Sequence, residues 1–130
     1  MTKKNRESKR KKVLVVEDSP IIQNLTRKVF EFQEYEVYST KDGRKVVGLL
    51  EKDDYEIVLL DINMPKGDGM TCIGEIRGMS DKKKAKIPVI AVTGNAEGYT
   101  SEEFIEAGFD AYVQKPVNYD GLLQLVRNYT

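Results

Sequence analysis

Four short apolar runs in this chain each hand over directly to residues that can do chemistry. Val13-Leu14-Val15-Val16 runs into Glu17-Asp18, Ile57-Val58-Leu59-Leu60 into Asp61, Val89-Ile90-Ala91-Val92 into Thr93, and Ala111-Tyr112-Val113-Gln114 into Lys115-Pro116. Near-continuous runs of branched apolar residues predict strands covered on both faces, and their alternation with amphipathic segments predicts βαβ units, an α/β fold around a parallel sheet. Right-handed crossovers place the loop after every strand on the same edge, which is where open α/β sheets hold their ligands. The acids, the hydroxyl and the amine are therefore expected on one rim.

The intervening segments carry helix signals. Ser19-Pro20 offers a capping hydroxyl and a first-turn proline, after which Ile22, Leu25, Val29 and Phe32 recur at helical spacing. A short strand over about residues 36–39 leads to a helix with Val46, Val47 and Leu50, and Gly67 and Gly69 bend the chain after Asp61 into a helix with Met70, Ile73 and Ile76. Thr100-Ser101-Glu102-Glu103 matches a capping box, with Phe104 and Ile105 opening the buried stripe and Gly108 ending the helix. The last helix is expected over 119–127, burying Leu122, Leu123 and Val126. Residues 78–87 hold four lysines without apolar periodicity and read as a solvent-facing loop, giving five strands and five helices.

A chain of 130 residues fits one domain. The zero formal charge hides an asymmetry: residues 1–12 contain seven Lys or Arg against Glu7, and the remainder carries 14 basic and 20 acidic residues, a net of −6. A short basic terminus of this kind is ordinarily a solvated tail, so neither nucleic-acid binding nor membrane insertion is expected of it. The one cysteine, Cys72, has no partner for a disulfide and reads as a packed spectator. No run is apolar for long enough to be a signal peptide or a span, and the chain reads as cytoplasmic. The absence of histidine excludes imidazole acid-base chemistry, His-ligated metals and a phosphohistidine-donor role.

Three carboxylates on one edge repel one another unless a cation compensates them. An oxygen-only donor set without His or Cys suits a hard divalent ion, Mg²⁺ with Mn²⁺ as the alternative. Asp18 and Asp61 are expected as direct ligands, the Asn63 carbonyl as a third, and Glu17 as a contributor through water. Lys115 would pair with a phosphate oxygen on the far side from the metal, leaving ionised Asp61 as acceptor nucleophile for a phosphoryl group. The Thr93 hydroxyl could donate to that group, and Tyr112 is the nearest large ring able to fill the space that a shift of Thr93 would vacate.

Taken in order, Glu17-Asp18, Asp61-Ile62-Asn63-Met64-Pro65, Thr93-Gly94, Tyr112 and Lys115-Pro116 closely resemble the receiver domain of two-component response regulators. The resemblance covers everything after the basic tail, dividing the chain into a flexible tail, 1–12, and a receiver domain, 13–130. It implies a flavodoxin-like doubly wound (βα)5 fold with strand order 2-1-3-4-5. It also implies phosphotransfer to Asp61 from a histidine kinase or histidine phosphotransfer protein, with catalysis confined to the domain's own Mg²⁺-dependent phosphorylation and dephosphorylation. Thr93 and Tyr112 would form the switch pair and Lys115-Pro116 a cis peptide. Asn63 and Asn95 fall at positions that tune phosphoryl lifetime in the family. The face of the fourth helix, fifth strand and fifth helix would then change to regulate a downstream protein. Glu17 stands where the family more often has Asp.

Other readings fit the residues less well. A haloacid-dehalogenase-type phosphatase needs a second acid two residues after its nucleophile, where this chain has Asn63. A flavin module needs a phosphate-binding loop after the first strand, where Glu17-Asp18 would repel phosphate. A degenerate receiver acting as a scaffold would not be expected to keep Asp61 and Lys115. No output module follows Thr130, so the chain either acts alone through protein contacts or belongs to a longer protein.

Overall fold

The computed structural model describes residues 10–64, 68–94 and 99–130. Five strands, β1 (Lys12–Val16), β2 (Glu36–Thr40), β3 (Ile57–Asp61), β4 (Val89–Thr93) and β5 (Ala111–Gln114), form one parallel sheet in the order β2-β1-β3-β4-β5, as the resemblance implies. The helices are α1 (Pro20–Phe32), α2 (Val46–Lys52, entered through a 3₁₀ turn at Gly43–Lys45), α3 (Gly69–Arg77), α4 (Lys82–Ala85), α5 (Ser101–Ala107) and α6 (Tyr119–Tyr129). β1 begins at Lys12, whose ammonium donates to both Asp53 carboxylate oxygens, at 2.9 and 2.8 Å.

Strand residues alternate between two cores. Val13, Val15, Ile57, Leu59 and Ile90 pack with Phe30 of α1 and Leu122, Leu123 and Val126 of α6. Leu14, Val16, Val58, Leu60 and Ala91 face the other way, against Leu50 of α2, Ile73 and Ile76 of α3 and Phe104 of α5. Each Val, Leu, Ile or Phe among them that is fully buried contributes roughly 1.5–3 kcal/mol. These two dry layers fix strand register, and register fixes which residues reach the carboxyl edge.

Two expected stripes are rotated. The inward side of α1 is Ile22, Thr26, Val29 and Phe30, whereas Leu25 and Phe32 are exposed. Both sets have helical spacing and share Ile22 and Val29. The choice between them is made by tertiary partners, namely Tyr35 edge-on against Phe30 and the Tyr119 hydroxyl 2.9 Å from Thr26 Oγ1. In α5, Phe104 is buried but Ile105 is exposed.

The solvent-facing loop expected at 78–87 is instead a structured crossover containing α4, which makes six α-helices among the described residues where five were expected. Asp81 caps α4 by accepting from the Lys83 and Lys84 amides, and Met79, Ala85 and Ile87 enter the core. Lys84 Nζ donates to the carbonyls of Leu50, Glu51 and Asp53 at 2.6, 3.2 and 3.1 Å, satisfying the open end of α2. Arg77 does the same work between elements, donating to the carbonyls of Ala85, Ile87 and Gly108 and to the Asp110 carboxylate. Periodicity could not reveal a four-residue helix held by caps and by lysine-to-carbonyl bonds.

Gly69 opens α3 where no side chain fits, because a Cβ there would lie 2.4 Å from Ile62 Cα. Gly69→Ala is expected to lower stability by about 2–3 kcal/mol in urea unfolding, since the obstacle is main chain and cannot rotate away.

Candidate functional site

The strand order sets four chain ends side by side. β1, β3, β4 and β5 are consecutive neighbours, so Glu17-Asp18, Asp61, Thr93 and Lys115 leave the sheet in spatial sequence. The order reverses between β1 and β3, and the crevice at such a switch point is where this architecture binds ligands. Ser19 caps α1 and turns the chain immediately after the acid pair.

Asp61 is 2 % exposed, and both its oxygens are held. The Asn63 amide donates to Oδ1 at 3.0 Å and Lys115 Nζ to Oδ2 at 3.0 Å. Lys115 Nζ also lies 3.1 Å from Glu17 Oε1, so one ammonium bridges two buried carboxylates. The other Glu17 oxygen accepts the Ser19 amide at 3.1 Å. Glu17 is further fixed through its main chain, its amide donating to the Thr40 carbonyl and its carbonyl accepting from Gln23 Nε2 at 2.7 Å. Gln23 was not singled out from the sequence, because a polar residue on the first turns of a helix carries no signal of its own.

Burial pushes the Glu17 carboxyl above its ordinary range; the Ser19 amide pulls it back, the Asp61 charge raises it, and Lys115 lowers it. For Lys115, burial opposes the ammonium but is outweighed by hydrogen bonds and charge from Asp61 and Glu17, so its pKa is raised. One carboxylate oxygen each from Glu17, Asp18 and Asp61 lies within 4.8 Å of the others. Three carboxylates against one ammonium leave a formal −2, and among the described residues Asp18 makes no ion pair. An all-oxygen cluster with that residual charge fits a hard divalent cation.

Thr93 is wholly buried at the end of β4, and its carbonyl accepts the Lys115 amide at 2.8 Å. A Cβ on the neighbouring Gly94 would meet Lys115 Cδ at 3.8 Å. The Lys115-Pro116 peptide is cis. Tyr112 is not gathered into the acid cluster. Its ring is partly exposed and stacks on Phe104 of α5, centroids 5.0 Å apart, within an aromatic group that also includes Tyr99 and Phe109. Asn95 lies outside the described residues. Cys72 is buried with its thiol pushed up to about 12 by burial, so it stays protonated and unreactive.

The sequence matches the model of the response regulator receiver domain family over residues 13–127. The chain belongs to that family. It is thus a receiver domain of two-component signalling. The receiver is 29% identical over 119 residues to the polar-differentiation response regulator DivK of Brucella ovis, covering 92% of this chain and 95% of that one. It is 33% identical over 112 residues to hybrid signal transduction histidine kinase I of Dictyostelium discoideum, covering 82% of this chain but 6% of the kinase. Against three further sensor kinases it spans 12–16% of their length. Among solved structures, the receiver domain of a Pseudomonas aeruginosa sensor histidine kinase, with magnesium coordinated in its active-site cleft, superposes with a TM-score of 0.82 at 28% identity, covering 92% of this chain and 97% of that one. No helix among the described residues is long and apolar enough to cross a membrane.

Removing the bridging ammonium should expose the charge conflict in this receiver. Lys115→Met is expected to lose about 1–3 kcal/mol at pH 7 in metal-free buffer, a range discounted for the partial exposure of Lys115. The Glu17 carboxyl is already raised above its unfolded value, so its ionised form opposes folding, and losing Lys115 raises it further. The deficit should therefore shrink as pH falls from 7 to 5 and Glu17 takes up a proton, as read by urea unfolding at both pH values.

Proposed function

We propose that the receiver is a phosphorylation-activated switch that accepts a phosphoryl group on Asp61 from a histidine kinase or histidine phosphotransfer protein. The observation that carries this reading is the single ammonium, Lys115, set 3.0 Å from a buried Asp61 beside two further acids at the sheet's carboxyl edge. One Asp61 oxygen forms a bond to phosphorus as the donor's P–N bond breaks, the electron pair leaving with the imidazole. The acceptor needs no base, being a carboxylate already, so the protein's part is positioning and charge compensation. Lys115 contacts a phosphoryl oxygen, and the Thr93 hydroxyl donates to another.

Asp18, Asp61 and the Asn63 carbonyl would hold Mg²⁺, or Mn²⁺, with Glu17 contributing through water, and the ion would supply further compensation for the phosphoryl charge. Asn63 and Asn95 would set how fast water removes the group. The receiver acts on no other substrate, since Asn63 stands where a haloacid-dehalogenase-type phosphatase needs its general acid. It works in the cytoplasm, without direct nucleic-acid binding or membrane insertion, as a domain over 13–130 that also takes in Lys12 of the expected tail, which opens β1 and pairs with Asp53.

Output runs through Thr93 and Tyr112. As Thr93 closes on the phosphoryl group, Tyr112 leaves Phe104 and turns inward, changing the face of α5, β5 and α6 that the downstream protein reads. The phosphoryl group shifts this equilibrium to the extent that it binds one state better.

Intact mass after incubation with acetyl phosphate tests the acceptor. One phosphoryl group is expected on the native protein with Mg²⁺, none after chelation and none on Asp61→Asn; a phosphorylated Asp61→Asn protein would contradict the assignment. Tyr112→Trp introduces the chain's only indole. Its fluorescence should change on phosphorylation and remain constant in Lys115→Met, which should still bind Mg²⁺; a native-sized change in that background would remove Lys115 from the switch.

A further inference from the structure

We infer that Glu17 is the positioning residue for Lys115, holding the amine over Asp61 while the carboxylate there is converted to an acyl phosphate. The inference rests on Asp61 being the acceptor. β1 and β5 are three strand spacings apart, roughly 14 Å. An extended lysine reaches about 6 Å from its Cα and a glutamate about 5 Å, at about 1.5 Å per bond less the zigzag. An ion-pair contact of 3.1 Å completes that span, and it is observed. Aspartate, one carbon shorter, would fall short of the ammonium. Glu17 is suited to be the fixed end: it is 4 % exposed, and contacts from α1, β2 and the Ser19 amide hold it on three sides.

Lys115 has two anionic partners, of which the reaction consumes one. When an Asp61 oxygen bonds to phosphorus and the acetate or imidazole departs with the electron pair, Asp61 loses its carboxylate charge. Glu17 keeps its own. The ammonium therefore stays tethered at Oε1 and exchanges only its Asp61 contact, for a phosphoryl oxygen. This duty is separate from any contribution of Glu17 to a cation through water.

The first test uses the metal-free protein and the ¹H–¹⁵N signal of the Lys115 ammonium, assigned by its loss in Lys115→Met. Native Lys115 should exchange its protons slowly, and both Glu17→Gln and Glu17→Asp should accelerate exchange about tenfold, the scale of one charge-assisted hydrogen bond. Asp18→Asn should change it less than about twofold. Native-like exchange in both Glu17 variants overturns the inference. The second test is a double-mutant cycle on the acetyl phosphate reaction at saturating Mg²⁺, where cation affinity no longer limits. Glu17→Gln should slow phosphorylation about tenfold alone and less than about twofold on Lys115→Met; losses that multiply would overturn the tether. If the native protein takes up no phosphoryl group, the acceptor reading fails, and the ammonium signal alone decides whether Glu17 holds Lys115.

Discussion

One ammonium shared between two buried carboxylates is the constraint on which the carboxyl edge depends. Lys115 reaches Asp61 across β4 and Glu17 across β3 as well, and the order β1-β3-β4-β5 puts both acids within its span. Without that ammonium two acids would be withdrawn from water uncompensated, an expensive arrangement. The dry layers on the two faces of the sheet fix register and thereby make this long-range ion pair geometrically cheap. The same neutralisation is incomplete, since three acids meet one amine, and the residual negative charge is one that a hard divalent cation would fit.

The two edges of the sheet solve opposite problems. At the carboxyl edge side-chain charges face each other in numbers that do not balance. At the amino edge and along the crossovers, Lys84 and Arg77 bind mainly main-chain carbonyls, closing helix ends that would otherwise be unsatisfied. The first arrangement can change with a bound ion or a transferred group; the second consists of dipoles that no transferred group can alter.

β1, β3 and β4 and the reactive residue at the end of each were legible because these three strands are buried on both faces and so are written as unbroken apolar runs, whereas the edge strands β2 and β5 are half exposed, contrary to the both-faces cover expected for the run before Lys115. The caps were legible too: Ser19-Pro20 and the Thr100-to-Glu103 box are local signals that the chain obeys locally. Ile22 and Val29 were consistent with two rotations of α1, and only Tyr35 and Tyr119, distant in sequence from one or both, chose between them. The α4 crossover was illegible for a related reason, since Lys84 finds its partners some 30 residues upstream. At the site, Asp18 was expected as a direct ligand and Glu17 as a contributor through water, but the pairing of Glu17 with Lys115 was not legible. That pairing depends on how the entry to α1 folds over Glu17 through the Ser19 amide and Gln23, while Asp18 makes no ion pair among the described residues.

Arg77 also fastens α5 at one end. Its guanidinium donates twice to the Gly108 carbonyl, at 2.9 and 2.6 Å, immediately beyond the last turn of that helix, and ties it to α3 and to the start of β4 through Asp110. The other end of α5 follows the segment that begins at Thr93. Over its seven residues, about 9 Å at 1.5 Å per step, the helix is thus held by charge at Gly108 and by the buried Phe104 ring, set against Tyr99, Phe109 and Tyr112, at its middle.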